Sequence, residues 1–452
     1  MAASALTSWL LFLAVLINQT GRVMIPSVMT SVMSDPSIDV DADSRGMMLA
    51  GVSAVCLGGK FLGGAVTDSL GGWLILVVVF VAYVGSSTLL VASSSAAIFG
   101  AMWLVNSLAY TVTWGAACQV IGVAFDEKER PAQLTKIASA SRFGATLGSM
   151  AFGTLLKSGL TWRQALMPVI PAQALLGVMC FYYWSTSKAP AAPAAAGGKA
   201  KAAAAGSSSG GGSAWSHMAT LDFWLMFIPK VTLFTYTQFF MNFLAPLLHV
   251  SYGMGHGDAS MMAGVAQGGS VIGLLYLGNQ VYKKLSPSAQ VNLVALQLLV
   301  CAIVPAILAI APSQAAEPQT NCEFSLTNPL QGFKKCEEAA PVSDGITLPF
   351  DISPVVVPLL ALWGCAYALP FYLPPGEFAL KIGGKTAAAL FTNLFDAGGF
   401  TLCFFWNSWA SKSTKGGDFR QVLLSQALFG AISLVCMPWC MTRQVALAKK
   451  QK

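Results

Sequence analysis

Long apolar runs recur along this chain, and about 20 apolar residues are what an α-helix needs to cross the hydrocarbon of a bilayer. Six lie near Leu6 to Met33, Met47 to Thr67, Gly71 to Val91, Ala96 to Ala124, Leu134 to Leu156 and Trp162 to Trp184. Six more lie near Leu221 to Val250, Ala259 to Gln280, Val291 to Ala311, Ile352 to Tyr372, Lys385 to Trp409 and Val422 to Met441. Inside lipid each backbone N–H and C=O must be satisfied within the protein, so such runs fold as helices. Only 10% of the 452 residues are charged and mean hydropathy is +0.64, against roughly a quarter charged in soluble domains. The expected fold is an all-α, multi-pass membrane protein with twelve transmembrane helices.

Between the two series, Lys188 to Ser213 is almost wholly Ala, Gly, Ser, Pro and Lys, a composition that cannot bury enough apolar surface to order itself. The expected organisation is a six-helix bundle over residues 1–185, a flexible linker over 186–218 and a second six-helix bundle over 219–452. Trp9-Leu10-Leu11-Phe12 near the start of the first series resembles Trp224-Leu225-Met226-Phe227 near the start of the second, a faint sign of pseudo-symmetry. With the N-terminus in the cytosol, fourteen Lys and Arg face the cytosol and eight the other side, so the positive-inside rule places both termini and the linker in the cytosol. The first apolar run continues through Asn18 and Arg22 into a second, which reads as a span rather than a cleavable leader.

Eight of the ten cysteines fall inside apolar runs with no metal-ligand spacing, and behave there as small hydrophobes. Cys322 and Cys336 lie together in a long non-cytosolic loop. They are either bridged, closing a 15-residue loop, or two free thiols. The net charge of +7 is dispersed between apolar runs rather than gathered on a stripe, which argues against nucleic acid. The three histidines are too separated for a catalytic or metal cluster, no Ser/His/Asp grouping stands out, and no cofactor is expected. His249 and His256 are expected at solvated loop flanks. There is no G-x-x-x-x-G-K-[ST] loop, so any energy source is a gradient or a counter-solute rather than ATP.

A charge at the centre of a spanning helix costs at least ~2.5 to 3.5 kcal/mol, so each one needs a reason. Four are basic: Arg22 in the first span, Lys60 in the second, Arg142 in the fifth and Lys230 in the seventh. One is acidic, Asp396 in the eleventh. Four cations against one anion leave positive charge in low dielectric unless water or a bound anion offsets it. An anionic solute is the substrate class this implies. Gln19, with Asn18, enlarges the polar patch around Arg22. The competing structural reading has Lys60, Arg142 and Lys230 reaching toward the cytosol and Asp396 pairing with one of them. Gly58, Gly59, Gly63 and Gly64 would let a neighbouring helix approach the second span closely.

Gly64, Asp68 and Gly71 resemble the G-x-x-x-D-R-x-G-R signature of the major facilitator superfamily, with Ser69 and Gly72 in place of its arginines. Further stretches resemble one branch, the organophosphate:phosphate antiporters: Lys60 followed by F-x-x-G-x-x-x-D; Trp114-Gly115 with Lys128-Glu129-Arg130; and Tyr367-Ala368-Leu369-Pro370, Glu377, Lys385-Thr386-Ala387-Ala388 and Asp396-Ala397-Gly398-Gly399. The resemblance implies two six-helix halves rocking about a central site. It also implies that Arg22 binds phosphate with Lys60 assisting and that Tyr367 lines the cavity; Asp68, within the signature, and Asp396, as the carboxylate a proton-coupled symporter would use, are the candidates for coupling or gating. The branch's second arginine falls at Gln238 and its helix-five histidine at Ser141, with Lys230 and Arg142 near enough to compensate. The protein is then a monomeric secondary transporter of a small anion, such as a phosphate ester exchanged for phosphate. Two other readings stay open: a proton-coupled symporter of a carboxylate, amino acid or other nutrient, and a membrane receptor or structural subunit that transports nothing.

Overall fold

The structure, a computed structural model, describes residues 2–126, 129–186, 217–310 and 353–450. The twelve apolar runs lie in helix over their described residues, apart from Gly71 at the start of the third and a turn at Met167-Pro168 in the sixth. The first series gives α1 (Ala2–Met33), α2 (Ala42–Leu70), α3 (Gly72–Ala92), α4 (Ala96–Ala124) and α5 (Arg130–Lys157), then a short α6 (Trp162–Leu166) leading into α7 (Val169–Thr186). The second gives α8 (Leu221–Gln238), a π-turn over Phe239–Phe243, and α9 (Leu244–Tyr252). It continues with α10 (His256–Val271), which runs on as a π-helical stretch over Ile272–Val281, then α11 (Pro287–Ile310), α12 (Ser353–Ser413) and α13 (Arg420–Lys450).

Nine of these helical stretches among the described residues are long and apolar enough by themselves to cross a membrane. The other three spans are α2, with Lys60, α5, with Arg142, and the second limb of α12, with Asp396. A straight helix of 61 residues would run about 90 Å and hold Phe378 and Phe395 about 25 Å apart. Their rings instead stack 6.4 Å apart, so the chain reverses between them and α12 is two antiparallel spans. Outward-facing side chains such as Val81, Leu175, Val178, Leu296 and Val435 are exposed, the apolar coat a lipid-facing surface requires.

Local signals set the helix ends. Asp41 caps α2 reciprocally with Ser44, accepting from its N–H at 2.8 Å and donating its own N–H to the Ser44 hydroxyl at 3.0 Å. Gly71, at φ 87°, makes the reversal from α2 to α3, a conformation that only glycine adopts readily. Gly59 and Gly63 sit against Thr111 and Val112 of α4, where a Cβ would come within 3.0 and 2.8 Å, the close approach expected of that glycine stripe.

The helices before residue 187 and those after 216, here the first and second halves, meet along α5 with α10 and α2 with the second limb of α12. The contacts between them gather on the face opposite the chain ends. There Lys157 pairs with Asp258 and Lys415 with Asp43, each at 2.7 Å, and the apolar cluster containing Val23 to Val32 of α1 continues into the second half. The separate cluster around Leu10, Phe80 and Ile121, toward the chain ends, stays within the first half. His249 and His256, expected as solvated flanks, instead pack on each other with ring centroids 4.1 Å apart, and His249 bonds the Met254 carbonyl. The linker over 186–218 lies almost wholly outside the described residues, as do Cys322 and Cys336.

Candidate functional site

A cavity, open in part to solvent, lies between the halves, lined among others by Arg22, Ser53, Cys56, Tyr110, Gln238 and Asn242. Arg22 stands midway along α1, where the helix leaves it no route to either surface. Its guanidinium donates to the Tyr110 hydroxyl at 2.7 Å and lies 4.0 Å from the centre of that ring. Tyr110 is one of a row of polar groups on α4 with Asn106, Ser107 and Thr113. From the second half, Gln238 accepts from the Asn242 amide at 2.8 Å, and both line the cavity where the π-turn Phe239–Phe243 interrupts the helix.

The other intramembrane charges stand close to this cavity. Asp396 receives Lys60 at 3.6 Å and Lys230 at 3.7 Å, so the single acid serves two bases from different halves rather than pairing with one. Lys230 does not reach toward water: it is 6% exposed, donates to the Phe371 carbonyl at 3.2 Å and lies against the Phe371 ring. Arg142 stacks across the halves on Tyr372 at 4.4 Å. Arg22 and Arg142 have no carboxylate partner among the described residues. An oxyanion could meet several donors here, the planar guanidinium of Arg22 in bidentate fashion.

Not every expected site residue lies on the lining. Gln19 is buried and donates to the Ser141 hydroxyl at 2.6 Å, which fixes α1 against α5. Tyr367 is buried and stacked on Phe240 at 5.3 Å, and is not among the residues lining the cavity. The Asp68 side chain lies outside the described residues. Two groups escaped the sequence reading. Tyr110 gave a signal only as part of the polar row on α4. Arg45, two residues before the second apolar run, is 3% exposed, donates to the Asn242 carbonyl across the halves at 2.5 Å and lies 4.8 Å over the Phe243 ring.

The sequence profile of the Major Facilitator Superfamily matches residues 11–321. Among solved structures, the chain is similar to the nucleoside transporter NupG, at 14% identity over 96% of this chain and 98% of that one, with a TM-score of 0.63. It is similar to a bacterial homologue of the human lysosomal transporter Spinster in an inward-facing, occupied conformation, at 13% identity, 97% of each chain and a TM-score of 0.65. It is also similar to a D-xylose–proton symporter, at 11% identity, 95% and 96% of the two chains and a TM-score of 0.69. Identities this low speak for the fold alone. Among curated proteins the sequence finds no match.

Proposed function

Because the chain belongs to the major facilitator superfamily, and so is a multi-pass membrane transporter rather than an enzyme, we propose that its solute is a small organic or phosphorylated anion. The observation that carries this reading is the charge balance around the cavity: Arg22 lines it, Lys60, Arg142 and Lys230 stand to one side, and the one acid, Asp396, meets two of these four bases. In a low-dielectric site a cationic surplus of three is costly while empty and is offset by a bound anion. A phosphate ester exchanged for phosphate fits best, since the two would share one set of donors. Arg22 binds the oxyanion, with Tyr110 holding the guanidinium and Gln238 offering an amide from the opposite half. The two halves then rock about this site to expose it to each face in turn.

The test is counterflow in liposomes against a panel of phosphate esters, inorganic phosphate, carboxylates, sugars and nucleosides. Exchange confined to anions, abolished by Arg22→Ala in a protein that still folds, is the expected result. Transport of neutral solutes alone, or anion exchange unchanged by Arg22→Ala, overturns the reading.

A further inference from the structure

The bridge Lys60–Asp396–Lys230 does not line the cavity but lies to one side of it. Lys60 is one turn beyond Cys56 on α2, Asp396 one turn before Phe400, which also lines the cavity, and Lys230 about two turns before Gln238 on α8. Given the direction in which each helix runs, all three displacements, about 6 to 12 Å, point toward the face that carries the chain ends. A solute moving between that face and the cavity therefore crosses the depth of the bridge. Lys60 belongs to the first half and the other two residues to the second, so the Asp396 carboxylate ties the halves together at this depth. The ion pairs are long, at 3.6 and 3.7 Å. Lys60 and Asp396 are each about a fifth exposed, so an incoming solute can reach them. Arg142, stacked on Tyr372, and the Lys230 ammonium, 5.5 Å from the same ring, add positive charge beside the passage.

We propose that Lys60 and Lys230 form an outer anion station, separate from the Arg22 cavity, and that Asp396 is its built-in competitor. A carboxylate side chain and an oxyanion solute offer the same acceptor oxygens to two ammonium groups, so they exclude each other there. In the empty protein Asp396 fills the station. An arriving anion displaces it, and the displacement breaks the Lys60–Asp396 tie between the halves. Binding at the station thus loosens the closure between that face and the cavity. The inference rests on the reading of the solute as an anion and adds an order to its path: Lys60 and Lys230 first, Arg22 second.

Two measurements on the full chain in detergent test this. In the first, inorganic phosphate and sulfate are titrated against thermal stability. Asp396→Asn removes the competitor and should lower the half-saturating concentration about ten-fold, whereas Asp396→Glu should stay near wild type, and adding Lys60→Gln to Asp396→Asn should erase the gain. Unchanged or weaker binding in Asp396→Asn overturns the proposal.

The second measurement needs no solute. Cys56 lines the cavity just beyond the bridge and is 2% exposed. Its modification by a small anionic thiol reagent, with Cys56→Ala as the reference, should run about ten-fold faster in Asp396→Asn than in wild type or Asp396→Glu. A wild-type protein that carries only neutral solutes sinks the anion reading itself. A labelling rate that Asp396→Asn leaves unchanged, in a protein that does exchange anions, sinks the station and its competitor alone.

Discussion

Gly153 of α5 and Gly257 of α10 press against each other's backbone across the halves: a Cβ on Gly153 would lie 2.8 Å from the Gly257 carbonyl oxygen, and one on Gly257 would lie 2.7 Å from that of Gly153. Neither neighbour is a flexible side chain, so neither can yield without moving a helix. Gly153→Val should therefore open this seam. Overpacking costs about 1 to 3 kcal/mol, which shifts a two-state equilibrium by about 5- to 150-fold. Ser260, 1% exposed in the same seam, reports the change. A Ser260→Cys probe should react slowly with a membrane-impermeant maleimide in the parent and at least about five-fold faster beside Gly153→Val.

Arg45 links the same face to the cavity. Its contact with the Asn242 carbonyl connects α2 to the π-turn whose Gln238 and Asn242 line the site. Hydrogen bonds to charged groups contribute about 1.5 to 3 kcal/mol. Arg45→Gln should lower the melting temperature by several degrees and reduce exchange, and Arg45→Lys should recover little, because a point ammonium cannot both meet the carbonyl and stack on Phe243. A Lys variant with wild-type exchange and melting would remove Arg45 from this role.

The helices were legible because each apolar run announces a span, and the charge surplus was legible because an intramembrane Lys or Arg is costly enough to stand out. Partners were not. Nothing in the spacing of Lys60, Lys230 and Asp396 says that one carboxylate joins two lysines from different halves, since that depends on how the halves dock. Arg45 was lost for the same reason: it follows a capping residue at the start of α2 and reads as a loop charge until the second half covers it. Tyr367, expected on the lining through a resemblance, is buried in aromatic packing with Phe240 and Tyr236 that no motif records.

Asp35 gives a pH prediction outside the membrane-spanning segments. Its carboxylate accepts from Ser37, from the Trp162 indole at 2.6 Å and from Arg163 at 2.5 Å. Led by the Ser37 hydroxyl, these donors hold it well below the ordinary carboxylate range. A depressed folded value stabilises the fold fully above the unfolded value of about 3.9, and that contribution fades as pH falls from there toward the folded value. Asp35→Asn should lower the melting temperature at pH 7. The gap between variant and wild type should hold to about pH 5 and narrow below about pH 4. A gap that is constant from pH 7 to pH 3 would show that the charge contributes nothing.

Tyr110 holds Arg22 in two ways, through its hydroxyl and through its ring, and substitutions separate them. Tyr110→Phe keeps the cation–π contact and removes the acceptor of a charged donor, a loss of about 1.5 to 3 kcal/mol, so the half-saturating anion concentration should rise about 12- to 150-fold. Tyr110→Ala also removes the ring, frees the guanidinium to swing from its position and should raise it further, with a fall in maximal exchange. If Arg22 is instead positioned by the solute itself, both variants should leave half-saturation unchanged. Measuring the concentration dependence of counterflow for wild type and the two variants decides between these, because only preorganisation of Arg22 by Tyr110 predicts the graded series.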